Sequence, residues 1–173
     1  MRKVFLYIFF VCILGMATNA YSQPRSAYIG FSFLYDWQMD KGGIGDFRKA
    51  SSVGMSVLLD CQITSSLAYR LYAIVPGFFS GDGYDRRGLA GFDIKYNLIN
   101  AINGYSSPGN IYPLFGAGIA MGVNGSDVLS AFLRGGIGYN QQITRHLNVF
   151  GEYTVTFCQG FSSTGGVGLM IRL

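Results

Sequence analysis

Residues 164–173 read T-G-G-V-G-L-M-I-R-L. Val167, Leu169, Ile171 and Leu173 fall on one side of an extended chain, and Gly166, Gly168, Met170 and Arg172 on the other. Alternation with a period of two predicts a β-strand with one apolar face and one small or polar face. Left as an open edge, such a strand invites aggregation. Pairing it with the first strand in a closed barrel removes the edge. The rest of the chain should then supply further strands of the same two-faced kind.

It supplies seven. In residues 27–37, Ile29, Phe31, Phe33, Tyr35 and Trp37 share one face, and Tyr28, Gly30, Ser32, Leu34 and Asp36 the other. Residues 52–61 place Val53, Met55, Val57, Leu59 and Cys61 outward. Residues 67–79 are apolar on both faces, and Arg70 orients them, because a charge facing lipid at mid-depth costs about 2–4 kcal/mol. Residues 89–98 put Ala90, Phe92, Ile94, Tyr96 and Leu98 outward, with Gly91, Asp93, Lys95 and Asn97 inward. Residues 111–123, 130–140 and 147–157 repeat the pattern, with inward glycines at Gly116, Gly118, Gly122, Gly136 and Gly138. Each segment is about ten residues, the length of a tilted membrane-crossing strand. The expectation is an all-β fold, an eight-stranded antiparallel up-and-down barrel with lipid outside. An even strand count puts both termini on one side. The connection 99–110 is longer than a usual turn on that side, and its composition gives no reason for its length.

Composition supports a membrane class. Half of the 173 residues are hydrophobic, with 14 Phe, 12 Tyr and 25 Gly, yet the stretch after residue 22 holds no apolar run long enough for a spanning helix. A closed barrel is the other structure that satisfies every backbone group in lipid. Residues 1–22 read as a secretory signal: Arg2 and Lys3, the apolar run 4–17, then cleavage after Ala20 or Ser22. The domain is then 23–173. Losing Arg2 and Lys3 leaves 11 basic against nine acidic residues, a net charge of +2, too weak to argue for nucleic acid. Cys61 and Cys158 fall at opposite barrel ends, so no disulfide between them is expected.

These patterns resemble the small eight-stranded outer-membrane barrels of diderm bacteria, of the OmpA and OmpX type. The glycine-rich hairpins, such as residues 115–122, also look like generic outer membrane protein beta-barrel domains and PorT-like chains. The resemblance implies an outer-membrane location with both termini in the periplasm. It also implies an assembly signal read by the barrel assembly machinery. Gly168, Ile171 and Leu173 match that signal, with Leu173 where the usual ending has an aromatic. Aromatics near the strand ends fit two interfacial girdles: Trp37, Phe79 and Phe157 at the outer rim, and Tyr69, Tyr96 and Tyr139 at the inner one.

The candidate site is the charge inside the barrel. Asp93, Lys95, Arg134 and Glu152 are expected at middle heights of the lumen, with Asp60, Arg70 and Arg172 nearer the periplasmic end. Buried charges must be paired or solvated. An eight-stranded lumen is just wide enough to be filled by side chains, so a wide pore is not expected. The single histidine, His146, falls in the turn between strands six and seven, on the wrong side for lipid A deacylation, so no enzyme is expected. No His/Cys cluster suggests a metal, and no cofactor is implied. Gly116-Ala117-Gly118 and Gly135-Gly136 open no helix after a strand, so they are not phosphate loops. The expected role is envelope integrity or surface interaction through loops 38–50 and 80–87, as a monomer in outer-membrane lipid. The rival readings are a narrow ion-conducting barrel, a secretion-system accessory barrel of the PorT-like kind, and a soluble lipocalin-like ligand-binding barrel. The last needs a polar outer face.

Overall fold

A computed structural model describes residues 26–38, 51–80, 87–122, 129–158 and 161–173. Residues 1–22, where a secretory signal is expected, nearly all of loops 38–50 and 80–87, and the Phe79 side chain lie outside the described residues. Eight strands form one closed antiparallel barrel: β1 (Ala27–Gln38), β2 (Ser51–Gln62), β3 (Leu67–Ser80), β4 (Arg87–Tyr96), β5 (Gly109–Gly122), β6 (Leu129–Gln142), β7 (Leu147–Phe157) and β8 (Phe161–Arg172). Closure is between β8 and β1, with Tyr28 opposite Arg172 and Phe33 opposite Val167. The apolar strand on which the sequence reading began therefore has a neighbour on both sides. Residues 26 and 173 share one end, called here the terminal end.

Side-chain alternation sets the two faces. Phe33, Phe115 and Val167 are each more than 60% exposed on the outer wall. The inner face carries Ser32, Leu34, Leu58, Tyr72, Phe132, Phe150 and Met170, all buried. Leu59 and Cys61 have outward parity but are buried. Cys61 and Cys158 are not joined by a disulfide. The β2–β3 register shifts between Val53↔Phe79 and Met55↔Val75, so the irregularity spans Pro76. A proline gives no ladder hydrogen bond and is tolerated at such a bulge.

One element departs from the sequence reading. β4 stops at Tyr96, and Leu98 opens a short helix, α1 (Leu98–Asn103), where a strand end and a bare loop are expected. Asn97 precedes it in an extended conformation, and Gly104 ends it at φ 74°, the left-handed backbone that glycine adopts without strain. Part of the length of 99–110 is thus a structured turn of helix.

The other two turns at this end are copies of each other. Residues 62–67 read Q-I-T-S-S-L and 142–147 read Q-I-T-R-H-L. In both, the isoleucine amide donates to the leucine carbonyl, at 2.8 Å for Ile63 and 2.9 Å for Ile143. In both, the threonine hydroxyl oxygen accepts from the leucine amide, at 2.9 Å for Thr64 and 3.1 Å for Thr144. A side chain that satisfies a turn amide fixes the turn and hence the register of both strands. Thr64→Ala and Thr144→Ala should each cost about 1 kcal/mol, and Thr→Ser at either site should recover most of it. Equilibrium urea unfolding of the refolded protein checks this.

Candidate functional site

Among the described residues, six charged side chains of the lumen form one network. Cross-strand pairing runs from Asp60 to Arg70, from Arg70 to Asp93, from Asp93 to Gly116 and from Gly116 to Arg134. These positions form one continuous row around the wall, in which charge alternates and a glycine interrupts. Asp60 Oδ2 accepts from Arg70 Nη2 at 2.9 Å and from Lys95 Nζ at 2.5 Å. Arg70 Nη1 donates to Glu152 Oε1, which also accepts from the Tyr112 hydroxyl at 2.5 Å. Arg134 lies 3.5 Å from Asp93 and 3.8 Å from Glu152. Among the described residues three carboxylates meet three cations, a sum of zero.

The two groups expected at different heights are in contact. Asp60 and Arg70 do not form a separate group near the terminal end; they belong to the same cluster as Asp93, Lys95, Arg134 and Glu152. Strands in a barrel tilt, and the stagger carries a row of paired residues obliquely along the lumen. Position along one strand therefore does not translate into height in the barrel. Arg172 stands at the terminal end, where it is expected, but among the described residues it makes no ion pair with the cluster. It is exposed and lines the terminal mouth.

Each cation also lies over an aromatic ring. Lys95 Nζ is 4.0 Å from the Tyr112 centroid, the Arg134 guanidinium 4.4 Å from that of Tyr72, and the Arg70 guanidinium 5.4 Å from that of Phe150. Such contacts strengthen when desolvated. The sequence reading missed these rings. The signal was available: stepping back by two from Gly116 gives Leu114 and Tyr112, and stepping forward from Arg70 gives Tyr72.

The rings are accommodated by a pairing rule. Tyr72 is the direct cross-strand partner of Gly91, Tyr112 of Gly138, Phe132 of Gly118 and Phe150 of Gly168. A Cβ on Gly138 would lie 2.6 Å from the Tyr112 ring, and one on Gly168 or Gly118 would lie 2.6 Å from Phe150 or Phe132. Directly paired side chains on one face are only about 5 Å apart. A glycine partner on one side gives each ring room, while on its other side Tyr72 pairs directly with Leu58. Gly168, singled out as part of an assembly signal, thus also has a packing role. Ile171 and Leu173 of that signal are exposed on the outer wall.

Toward the terminal end the packing loosens into a polar cavity of about 270 Å³, with Asp60 and Lys95 among its lining residues and Asn110, Asn140 and Asn148 beside them. The girdle residues Trp37, Tyr96, Tyr139 and Phe157 are exposed on the outer wall, and Tyr69 is half-buried there. His146 is exposed in the β6–β7 turn at the terminal end. Among the described residues, no group of three or more His, Cys, Asp or Glu side chains is placed to hold a metal ion.

No family model matches the chain, and no curated protein matches it. Solved structures do. Neisserial surface protein A (NspA) superposes with a TM-score of 0.63 at 13% identity, over 87% of this chain and 100% of its own. Ail, the attachment invasion locus protein of Yersinia pestis, solved with the heparin analogue sucrose octasulfate, gives 0.56 at 10% identity, over 87% and 100%. A de novo designed transmembrane β-barrel gives 0.51 at 11%, over 88% and 98%. The chain has the fold of the small eight-stranded outer-membrane barrels.

Proposed function

We propose that this chain is an integral outer-membrane barrel of the OmpA and OmpX type, with its termini in the periplasm. Its role is mechanical and interactive: the wall anchors in outer-membrane lipid, and the connections at the end away from the termini meet the surroundings. The proposal includes no enzymatic step. The observation that carries it is the contrast between wall and lumen. The wall is apolar on all eight strands, which argues against the soluble ligand-binding alternative. The lumen is occupied by a charge-balanced network and by aromatic rings seated on glycines, which suits a mount better than a conduit. Gly168, Ile171 and Leu173 would address the chain to the assembly machinery, and a closed barrel with no free edge has no need of a second copy.

The test is electrophoretic mobility of the membrane fraction, boiled against unboiled, followed by planar-bilayer recording of the refolded protein. We expect a shift on boiling and no steady current. Recovery from the soluble periplasm without a shift would sink the membrane reading. A reproducible single-channel current would favour the narrow ion-conducting barrel instead.

A further inference from the structure

The β4–β5 connection has two chemically opposite faces. One is bolted to the barrel mouth by Asn100, which is buried. Its Nδ2 donates to the Ser65 carbonyl at 2.6 Å, and its Oδ1 accepts from the Ser107 amide at 2.7 Å and from Asn110 Nδ2 at 2.6 Å. Its own amide donates to Asn110 Oδ1 at 3.1 Å. The Asn97 amide adds a bond to the Ser66 carbonyl at 2.6 Å. These contacts fix α1 against the neighbouring turn and the start of β5.

The other face is apolar and uncovered. Leu98 is 38% exposed, Ile102 84% and Tyr105 64%. Leu98 and Ile102 are four residues apart, so they share one side of the helix. Asn100 falls on the opposite side. Leu98 also continues the outward column of β4, after Ile94 and Tyr96. The apolar wall therefore runs without a break from the strand onto the helix. Residues 98–110 contain no Asp, Glu, Lys or Arg. A fully solvated surface turn would have no use for an isoleucine held outward, and a charge-free segment would sit readily at a hydrocarbon boundary. The β6–β7 turn at the same end presents Ile143 in the same exposed manner.

We propose that α1 is an interfacial helix: Leu98, Ile102 and Tyr105 enter the lipid at the rim of the barrel's terminal end, while Asn100 holds the helix to the mouth. Short amphipathic segments bind in this way, with the apolar side in the boundary between headgroups and acyl chains, and tyrosine favours that depth. The bilayer contact and the Asn100 bonds then act on one element from opposite sides. This also gives the extra length of the connection a purpose that the two four-residue turns do not serve. The proposal rests on the reading of the outer wall as lipid-facing.

The experiment uses the full barrel with Trp37→Phe, which removes the only tryptophan. Ile102→Trp is introduced as the reporter and Ser106→Trp as the comparison. Both positions are exposed, and Ser106 borders the polar cavity. The proteins are refolded into phosphatidylcholine vesicles carrying bromine at shallow or deep acyl positions. We expect shallow bromine to reduce the Ile102→Trp emission at least twofold, deep bromine to reduce it less, and Ser106→Trp to respond to neither. Equal fractional quenching of the two reporters by bromine, in proteins that still shift on boiling, would overturn the interfacial helix and leave the barrel reading intact. Failure of both variants and of the unaltered protein to insert would overturn the barrel reading and the helix with it.

Discussion

Arg70→Met should lower the unfolding free energy by about 3–5 kcal/mol, the range for removing one partner of a buried ion pair. The guanidinium is 1% exposed and bonds two carboxylates at once, those of Asp60 and Glu152. Methionine fills much of the volume but offers neither charge nor donors. Asp60 keeps Lys95 at 2.5 Å, whereas Glu152 keeps the Tyr112 hydroxyl and an arginine 3.8 Å away. The uncompensated charge therefore falls mainly on Glu152. Adding Glu152→Gln to Arg70→Met should then recover part of the loss, so the double variant costs less than the two single changes together. Urea unfolding in vesicles measures all three. A loss below about 1 kcal/mol for Arg70→Met would resemble a solvated surface pair and would mean that water reaches the network, which is the condition a conducting lumen needs.

How far these features could be read from the sequence differs with their range along the chain. Strand faces follow from near neighbours: Phe31, Phe33 and Tyr35 declare the wall of β1 with no knowledge of any partner. Seven strands were accessible in this way, and β3, apolar on both faces, was oriented by Arg70. The network was accessible only as a set of inward charges, because grouping them requires registers between strands. Asp60 and Asp93 look distant in depth when each is counted along its own strand, yet both pair with Arg70. The helix α1 was hidden for another reason. It is six residues long, has no acidic residue in its first turn and has no side-chain cap, so it lacks the usual signals of a helix start. Its Gly104 stop was visible but could equally mark a turn. The repeated Q-I-T-x-x-L turns were legible and carry their own mechanism in the threonine hydroxyl.

The inward glycines give the second large effect, and they separate steric need from composition. Gly116→Ala should destabilise the barrel by about 3 kcal/mol, the upper end of ordinary overpacking. The site lies between Asp93 and Arg134 on the charged row. A Cβ there would meet the Phe92 carbonyl oxygen and the Asp93 carboxylate. The carbonyl belongs to the neighbouring strand and cannot rotate away, and moving the carboxylate would disturb its pairing with Arg134. The control is Gly151→Ala, at a position paired with Tyr139 and Val167 on the outer wall. It also replaces a strand glycine, but its Cβ would find its nearest neighbour, the Gly166 carbonyl, at 3.8 Å. That change should be neutral or stabilising by about 0.5 kcal/mol, since alanine loses less backbone entropy on folding. Urea unfolding of both variants, with boiled and unboiled mobility as the check on closure, gives the comparison. Equal losses at the two sites would mean that glycine is used in this barrel for backbone freedom in general. A loss confined to Gly116 would mean that glycine is placed where a paired large or charged side chain takes the room, so that the lumen is filled by complementary pairs across strands.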